Sequence, residues 1–263
     1  MPLPARTSKY LFWGLNGLLG VAFLGELCAP GFSSGWDQAT IALAAAASLA
    51  ALHRQLPWQN ILPAALITAA AGGLAHAMSA KPNLALPFGP VVFYPAGGGK
   101  LFDAVPWTVP LLWVVAIFNA RGTVRLSLRP WRKVKNYGFW LMGLTVLLAV
   151  AFDLALEPFA GPVMHLWRWQ PTKIAVTWYG ATPLNFLGWA FVAVLIMAFA
   201  TPSLIRKQPG NPSAPDFHPL VMWLGALLLF AAGSARAGLW WSFGLDAVLA
   251  AVTAYFANLG ARW

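Results

Sequence analysis

Residues 137–158 read YGFWLMGLTVLLAVAFDLALEP. From Tyr137 to Leu156 the run holds no Lys or Arg and, before Asp153, no charge at all. About 20 apolar residues at about 1.5 Å each span a hydrocarbon layer of about 30 Å, and Pro158 is expected to stop the helix. The rest of the chain agrees: of 263 residues 59% are hydrophobic and 9% charged, whereas a soluble domain carries about a quarter charged residues. The expected fold is all-α, a polytopic integral membrane helix bundle of about eight transmembrane helices in a single domain, 1–263, with both termini cytoplasmic. Disorder is excluded by the apolar fraction, and a disulfide scaffold by the lone Cys28.

Seven further spans are legible outward from this one. The first runs from about Tyr10 to Ala29 behind Arg6 and Lys9. Glu26 and Pro30 spoil both a small-residue cleavage site and a lipoprotein box, so it reads as uncleaved. The second, about Gln38 to His53, is short and Ala-rich, and the third covers about Ile61 to Ser79. Then KPNLALPFGPVVFYPAGGGK is too rich in Pro and Gly for a free helix. It is an outside loop or a re-entrant segment packed against protein. The fourth span, about Val105 to Asn119, opens with VPWTVP. Beyond the fifth, Thr182 and Pro183 read as a hydroxyl N-cap and first helical residue of a span to about Ala200. The linker RKQPGNPSAPDFHP separates it from spans at about Leu220 to Ser234 and Leu239 to Leu259, which flank Arg236.

The net charge of +10 is mostly an orientation signal. With the N-terminus inside, 12 of the 17 Lys and Arg fall on cytoplasmic segments, six of them in the loop ARGTVRLSLRPWRKVK. Nucleic acid is not an expected partner, since no recognition module accompanies the charge. Six of the seven acids, Glu26, Asp37, Asp103, Asp153, Glu157 and Asp246, then lie toward the outer side; only Asp216 lies inside. A polar site opening outward is one physical reason for that bias.

Within AFDLALEP, Asp153 and Glu157 are four residues apart and share a helix face. A charged carboxylate deep in a bilayer costs roughly 2.5–3.5 kcal/mol on insertion scales. Two like charges at a helix C-terminus add to that cost, so a carboxylic acid is kept protonated beside a base, as general acid catalysis requires. The alternative is that both emerge into interfacial water or pair with Arg168 or Lys173. In WYGATPLNFLGW, the amide of Asn185 can hold water or orient a carboxylate, with Trp178 and Tyr179 beside it. Asp103 is either a cap of the fourth span or a site residue. Glu26 is an acid inside an apolar span, and Asp246 is expected to pair with Arg236. The four histidines form no di-iron box, GGGK at 97–100 lacks the first Gly and the Ser/Thr of a phosphate loop, and no G-x-G-x-x-G occurs.

Five pieces in order carry a resemblance: Phe88-Gly89 followed by Tyr94, VPWTVPLLW, FDLALEP, HLWRW and WYGATPLNFLGW. Together they resemble the carotenoid biosynthesis membrane proteins that include the carotenoid 1,2-hydratases. The resemblance implies hydration of the terminal C1=C2 double bond of an acyclic carotenoid end group to a tertiary alcohol. It implies no cofactor, a carotenoid or polyisoprenoid substrate, the lipid bilayer of a bacterial inner membrane, and other enzymes of carotenoid synthesis as partners. On that reading Asp153 and Glu157 supply acid and base, Asn185 and Tyr179 position water, and Asp103 is a further acidic candidate. Trp178, Trp107, Tyr94, Phe88 and Glu26 would line the substrate. The chain departs from the family pattern before Phe88, where AAAGGLAHAMSA offers only His76 as an ionisable group. It departs again after Tyr94, where PAGGGK replaces a Thr-Asp pair.

Two other classes compete. VPWTVPLLWVVAIF and ATPLNFLGWAFVAVLIMAF share a weak pattern, the trace an internally repeated transporter or lipid-handling protein would leave. A structural partner in a carotenoid-making complex is the third. An enzyme predicts an apolar slot ending at Asp153 and Glu157; a transporter predicts broken helices around a wet midplane.

Overall fold

The computed structural model describes residues 5–28, 36–205 and 214–263, apart from the side chains of a few residues in the first two helices. Among the described residues eight helices follow in order: α1 (Ala5–Cys28), α2 (Trp36–His53), α3 (Trp58–Ser79), α4 (Thr108–Ser127), α5 (Tyr137–Pro158), α6 (Pro183–Ala200), α7 (His218–Arg236) and α8 (Trp240–Ala261). α3 to α8 are each long and apolar enough to cross a membrane; α2 is shorter. The fold is an all-α polytopic membrane bundle.

α4 is its axis. It packs against α2, α3, α5, α7 and α8, and most of its residues are buried. Close approach is bought with small residues. A Cβ on Gly72 of α3 would lie 2.2 Å from the Trp113 ring of α4, and one on Gly122 of α4 would lie 2.3 Å from Pro219 of α7. Trp113, seated on Gly72, stacks on Trp189 of α6 with centroids 3.7 Å apart and planes 15° apart. The two similar segments noted above thus meet through their tryptophans.

α4 extends past the expected end at Asn119. No proline interrupts ARGTVRLS, and its one glycine, Gly122, is kept for close packing against Pro219, so Arg121 and Arg125 belong to α4 rather than to a loop. Arg121 is buried and donates to the Leu204 carbonyl at 2.8 Å. Arg125 donates to Gln55, whose amide donates to Asp216 at 2.6 Å, and Asp216 also pairs with His218. Burial opposes the charge of Asp216, but the hydrogen bonds from His218 and Gln55 outweigh it and hold the carboxyl below its ordinary range.

The connections α3–α4 and α5–α6 lie at one end, where they pair. β1 (Val91–Phe93), β2 (Lys100–Leu101) and β3 (Val105–Pro106) precede α4, and β4 (Trp167–Trp169) precedes α6. β1 is antiparallel to β4, with Val91 opposite Trp169 and Phe93 opposite Trp167; β2 pairs with β3. The Pro/Gly-rich stretch is therefore a strapped loop. Phe88 plugs it into the bundle over Gly188, where a Cβ would lie 2.7 Å from its ring. Of the VPWTVP prolines, Pro106 sits in β3 and Pro110 in the first turn of α4. The expected pair of Asp246 with Arg236 is not made: Asp246 is buried and neither carboxylate oxygen has a hydrogen-bond partner.

Gly72→Ala forces the Trp113 ring off its seat and should cost about 1–3 kcal/mol, read as a lower Tm in detergent. Gly143→Ala on α5, with no heavy atom within 4 Å of the added Cβ, should leave Tm unchanged or slightly higher. Equal effects of the two would contradict the packing described. Asp216→Asn should lower Tm at neutral pH, where the native carboxylate is favoured. The gap to wild type should close as pH falls through the depressed range in which native Asp216 takes up its proton.

Candidate active site

α5 ends at Pro158, where the proline was expected to stop it, and the chain continues as a π-turn over Phe159–Val163. Because proline has no N–H, the carbonyl of Leu154 is left without its helical donor. The indole of Trp178 takes it, Nε1 to O at 2.9 Å. One missing backbone bond thereby ties the loop before α6 to the end of α5.

Asp153 and Glu157 occupy this last turn, and both are fully buried. Asn185, in the first turn of α6 and equally buried, points its amide at them. Its Nδ2 donates to Asp153 Oδ2 at 2.6 Å and to Glu157 Oε1 at 3.2 Å. Only the NH₂ end of an amide can face two carboxyl groups, which fixes its orientation. Glu157 Oε2 accepts two more bonds, from Trp169 Nε1 at 2.7 Å and Trp167 Nε1 at 3.2 Å. Neither Arg168 nor Lys173 serves as the partner: Arg168 is exposed on the other face of β4, and Lys173 is exposed in the loop.

Thr182 stands at the N-cap position of α6 with extended φ and ψ, but its hydroxyl makes no cap hydrogen bond. Its buried Oγ1 has no protein partner, nor have Asn185 Oδ1, Trp189 Nε1 and Asp153 Oδ1. Thr182, Asn185 and Trp189 follow at i, i+3 and i+7, so one stripe of α6 presents three unpaired polar atoms. Such a stripe can bind a small hydrogen-bonding molecule.

Two hollows flank the carboxyl groups, and neither is lined by them directly. The more polar one, of about 550 Å³ and lined by both polar and apolar groups, opens among the loops, with Trp167, Trp169, Thr182, Tyr94 and Tyr179 in its wall. Glu157 lies directly behind its two indoles. An apolar cleft of about 320 Å³ lies between α1, α2, α4, α5 and α7, and includes Phe152, Leu156 and Phe159. Phe152 and Leu156 each stand one residue before Asp153 and Glu157, about 100° round the helix from them. The apolar slot therefore stops beside the carboxyls rather than ending on them.

The structure brings Asp153, Glu157 and Asn185 together, with Trp178 and Tyr179 at the rim in edge contact at 4.9 Å. Of the others it brings in only Tyr94. Asp103 is exposed at the tip of the β2–β3 hairpin, where Phe102 and Asp103 take positive φ of 51° and 55°, and α4 has no side-chain cap. Trp107 packs over Gly98 near Gln38. Phe88 is fully buried with its ring 4.2 Å from that of His76, in the core rather than in a hollow. Tyr94 lines the polar hollow. The side chain of Glu26 lies outside the described residues. Trp167 and Trp169 enter the sequence reading only within HLWRW, with no role in the site. The signal was W-x-W, which in a strand sets both indoles on one side.

A search of curated proteins and of solved structures returns no match. The family model for the carotenoid biosynthesis protein matches residues 37–253, which takes in every residue of this site. The chain belongs to the carotenoid biosynthesis protein family.

Proposed function

We propose that the protein hydrates the terminal C1=C2 double bond of an acyclic carotenoid end group. The observation that carries this reading is the buried carboxyl pair sharing one amide at the wall between a polar hollow and an apolar cleft. Hydration needs a proton donor, a base and a water, all close to a hydrocarbon chain end.

Asp153 and Glu157 provide the acid and base functions. Protonation at C2 leaves a tertiary cation at C1, which the negative charge of the pair and the surrounding aromatic faces stabilise. The unpaired Asn185 Oδ1 and Thr182 Oγ1 are suited to hold the water, which reaches them from the polar hollow past Tyr179 and Tyr94. The apolar cleft suits the polyene, whose tip reaches the carboxyls once Leu156 or Phe152 turns aside. Binding in a membrane needs no aqueous path for such a substrate. The family supports an isoprenoid class of substrate; the resemblance to the carotenoid 1,2-hydratases suggests the reaction, and the carboxyl pair suits it.

Expression in a lycopene-accumulating host, followed by mass spectrometry of the pigments, tests the proposal. Wild-type protein should add the mass of one or two waters. Asp153→Asn and Glu157→Gln should each reduce that product by about 10²–10⁴-fold, the usual contribution of a positioned acid or base. Asn185→Ala should lower it less while the protein still inserts. Unchanged pigment with wild-type protein present in the membrane would favour a transport or structural role, and full yield from either amide variant would remove that carboxyl from the mechanism.

A further inference from the structure

The two carboxyl groups are chemically alike, but their surroundings treat them differently. Both oxygens of Glu157 meet N–H donors: Oε1 meets Asn185, and Oε2 meets Trp169 and Trp167. Asp153 meets one donor, Asn185 on Oδ2, while its buried Oδ1 meets none. Indole nitrogen can only donate, so both tryptophans are satisfied by Glu157 as an acceptor. The two carboxyls share one amide nitrogen, Asn185 Nδ2, at 2.6 and 3.2 Å, and so lie close together. Like charges so close do not both persist away from water, and such pairs hold one proton between them. The oxygen with no competing donor, Asp153 Oδ1, is the place for it.

We infer that Trp167 and Trp169 are positioning residues that hold Glu157 as the anion and leave the pair's proton on Asp153. Within the proposed hydration, on which the roles rest, Asp153 is then the acid and Glu157 the base. The Oδ1–H bond of Asp153 breaks, and its proton bonds to C2 with the π electrons of C1=C2. A water oxygen bonds to the cationic C1 and loses a proton to Glu157. Return of that proton from Glu157 to Asp153 restores the starting state, so the sum is alkene plus water giving a tertiary alcohol. The strap explains the W-x-W spacing: pairing of β4 with β1 turns both indoles toward Glu157 and leaves Arg168 outside.

Isotope-edited infrared spectroscopy of the purified protein reads the proton's place without any activity. Asp246 is a second buried aspartate, so the measurement is made in an Asp246→Asn background. At neutral pH a protonated-carboxyl C=O band should shift with ¹³C-carboxyl aspartate, stay put with ¹³C-carboxyl glutamate, and vanish in Asp153→Asn. In the double variant Trp167→Phe/Trp169→Phe, part of the band should become sensitive to the glutamate label. A shift in the otherwise unaltered protein with labelled glutamate alone, or with neither label, overturns the inference without needing a tryptophan variant to fold. A folded double variant whose band keeps the unaltered pattern does the same. If the aspartate pattern holds but no hydrated pigment forms, the proton assignment stands and the hydration reading falls.

Discussion

The site depends on one side-chain amide. Asn185 reaches from α6 to two carboxyl groups on α5 and gives one N–H to each. Removing it would leave two buried acids facing each other with fewer donors, at about 1–3 kcal/mol for each unsatisfied group. Much of the local fold serves to keep that amide in place. Pro183 starts α6 at a fixed position, Pro158 frees a carbonyl for Trp178, and the strand pair β1–β4 closes over the top. The prolines do more than interrupt helices here: each removes a backbone donor, and at Leu154 a side chain from another element fills the gap.

Away from the site, close contact between helices decides the architecture. The Trp113–Trp189 stack joins α4 to α6 across α3, and Gly72 makes room for it. In a lipid environment apolar surface alone does not drive helices together, so packing of this kind, with small residues opposite large rings, carries more of the burden. The aromatic core around Phe88, His76, Trp113 and Trp189 abuts the polar stripe of α6 through Trp189 itself. Rigid packing on one side of the stripe suits a site that must hold a carboxyl pair still.

The helices were legible because uninterrupted apolar runs leave few alternatives, and the carboxyl pair because four residues make one helical turn. Their ends were less so. Arginine is a good helix former and a single glycine, Gly122, is tolerated where a neighbouring helix packs on it, so charge from Arg121 to Ser127 does not mark a loop. Asp103 and Trp107 stood next to a helix start in the sequence, but a hairpin with left-handed residues turns Asp103 out into the open. Phe88 looked like a ligand contact in a glycine-rich loop; the absence of a side chain at Gly188, a hundred residues later, gives it a place in the core. Trp167 and Trp169 depended on a strand partner in another loop, a pairing that no local pattern announces.

On the proposed reaction the new hydroxyl oxygen comes from water, added through proton transfers at the buried carboxyls. The most direct measurement is isotope incorporation by purified protein given lycopene in H₂¹⁸O and, separately, in D₂O. Each hydroxyl formed should carry ¹⁸O from water, and each event in D₂O should leave one deuterium at C2. A hydroxylated product whose oxygen does not come from water, or whose C2 acquires no solvent hydrogen, would contradict the account.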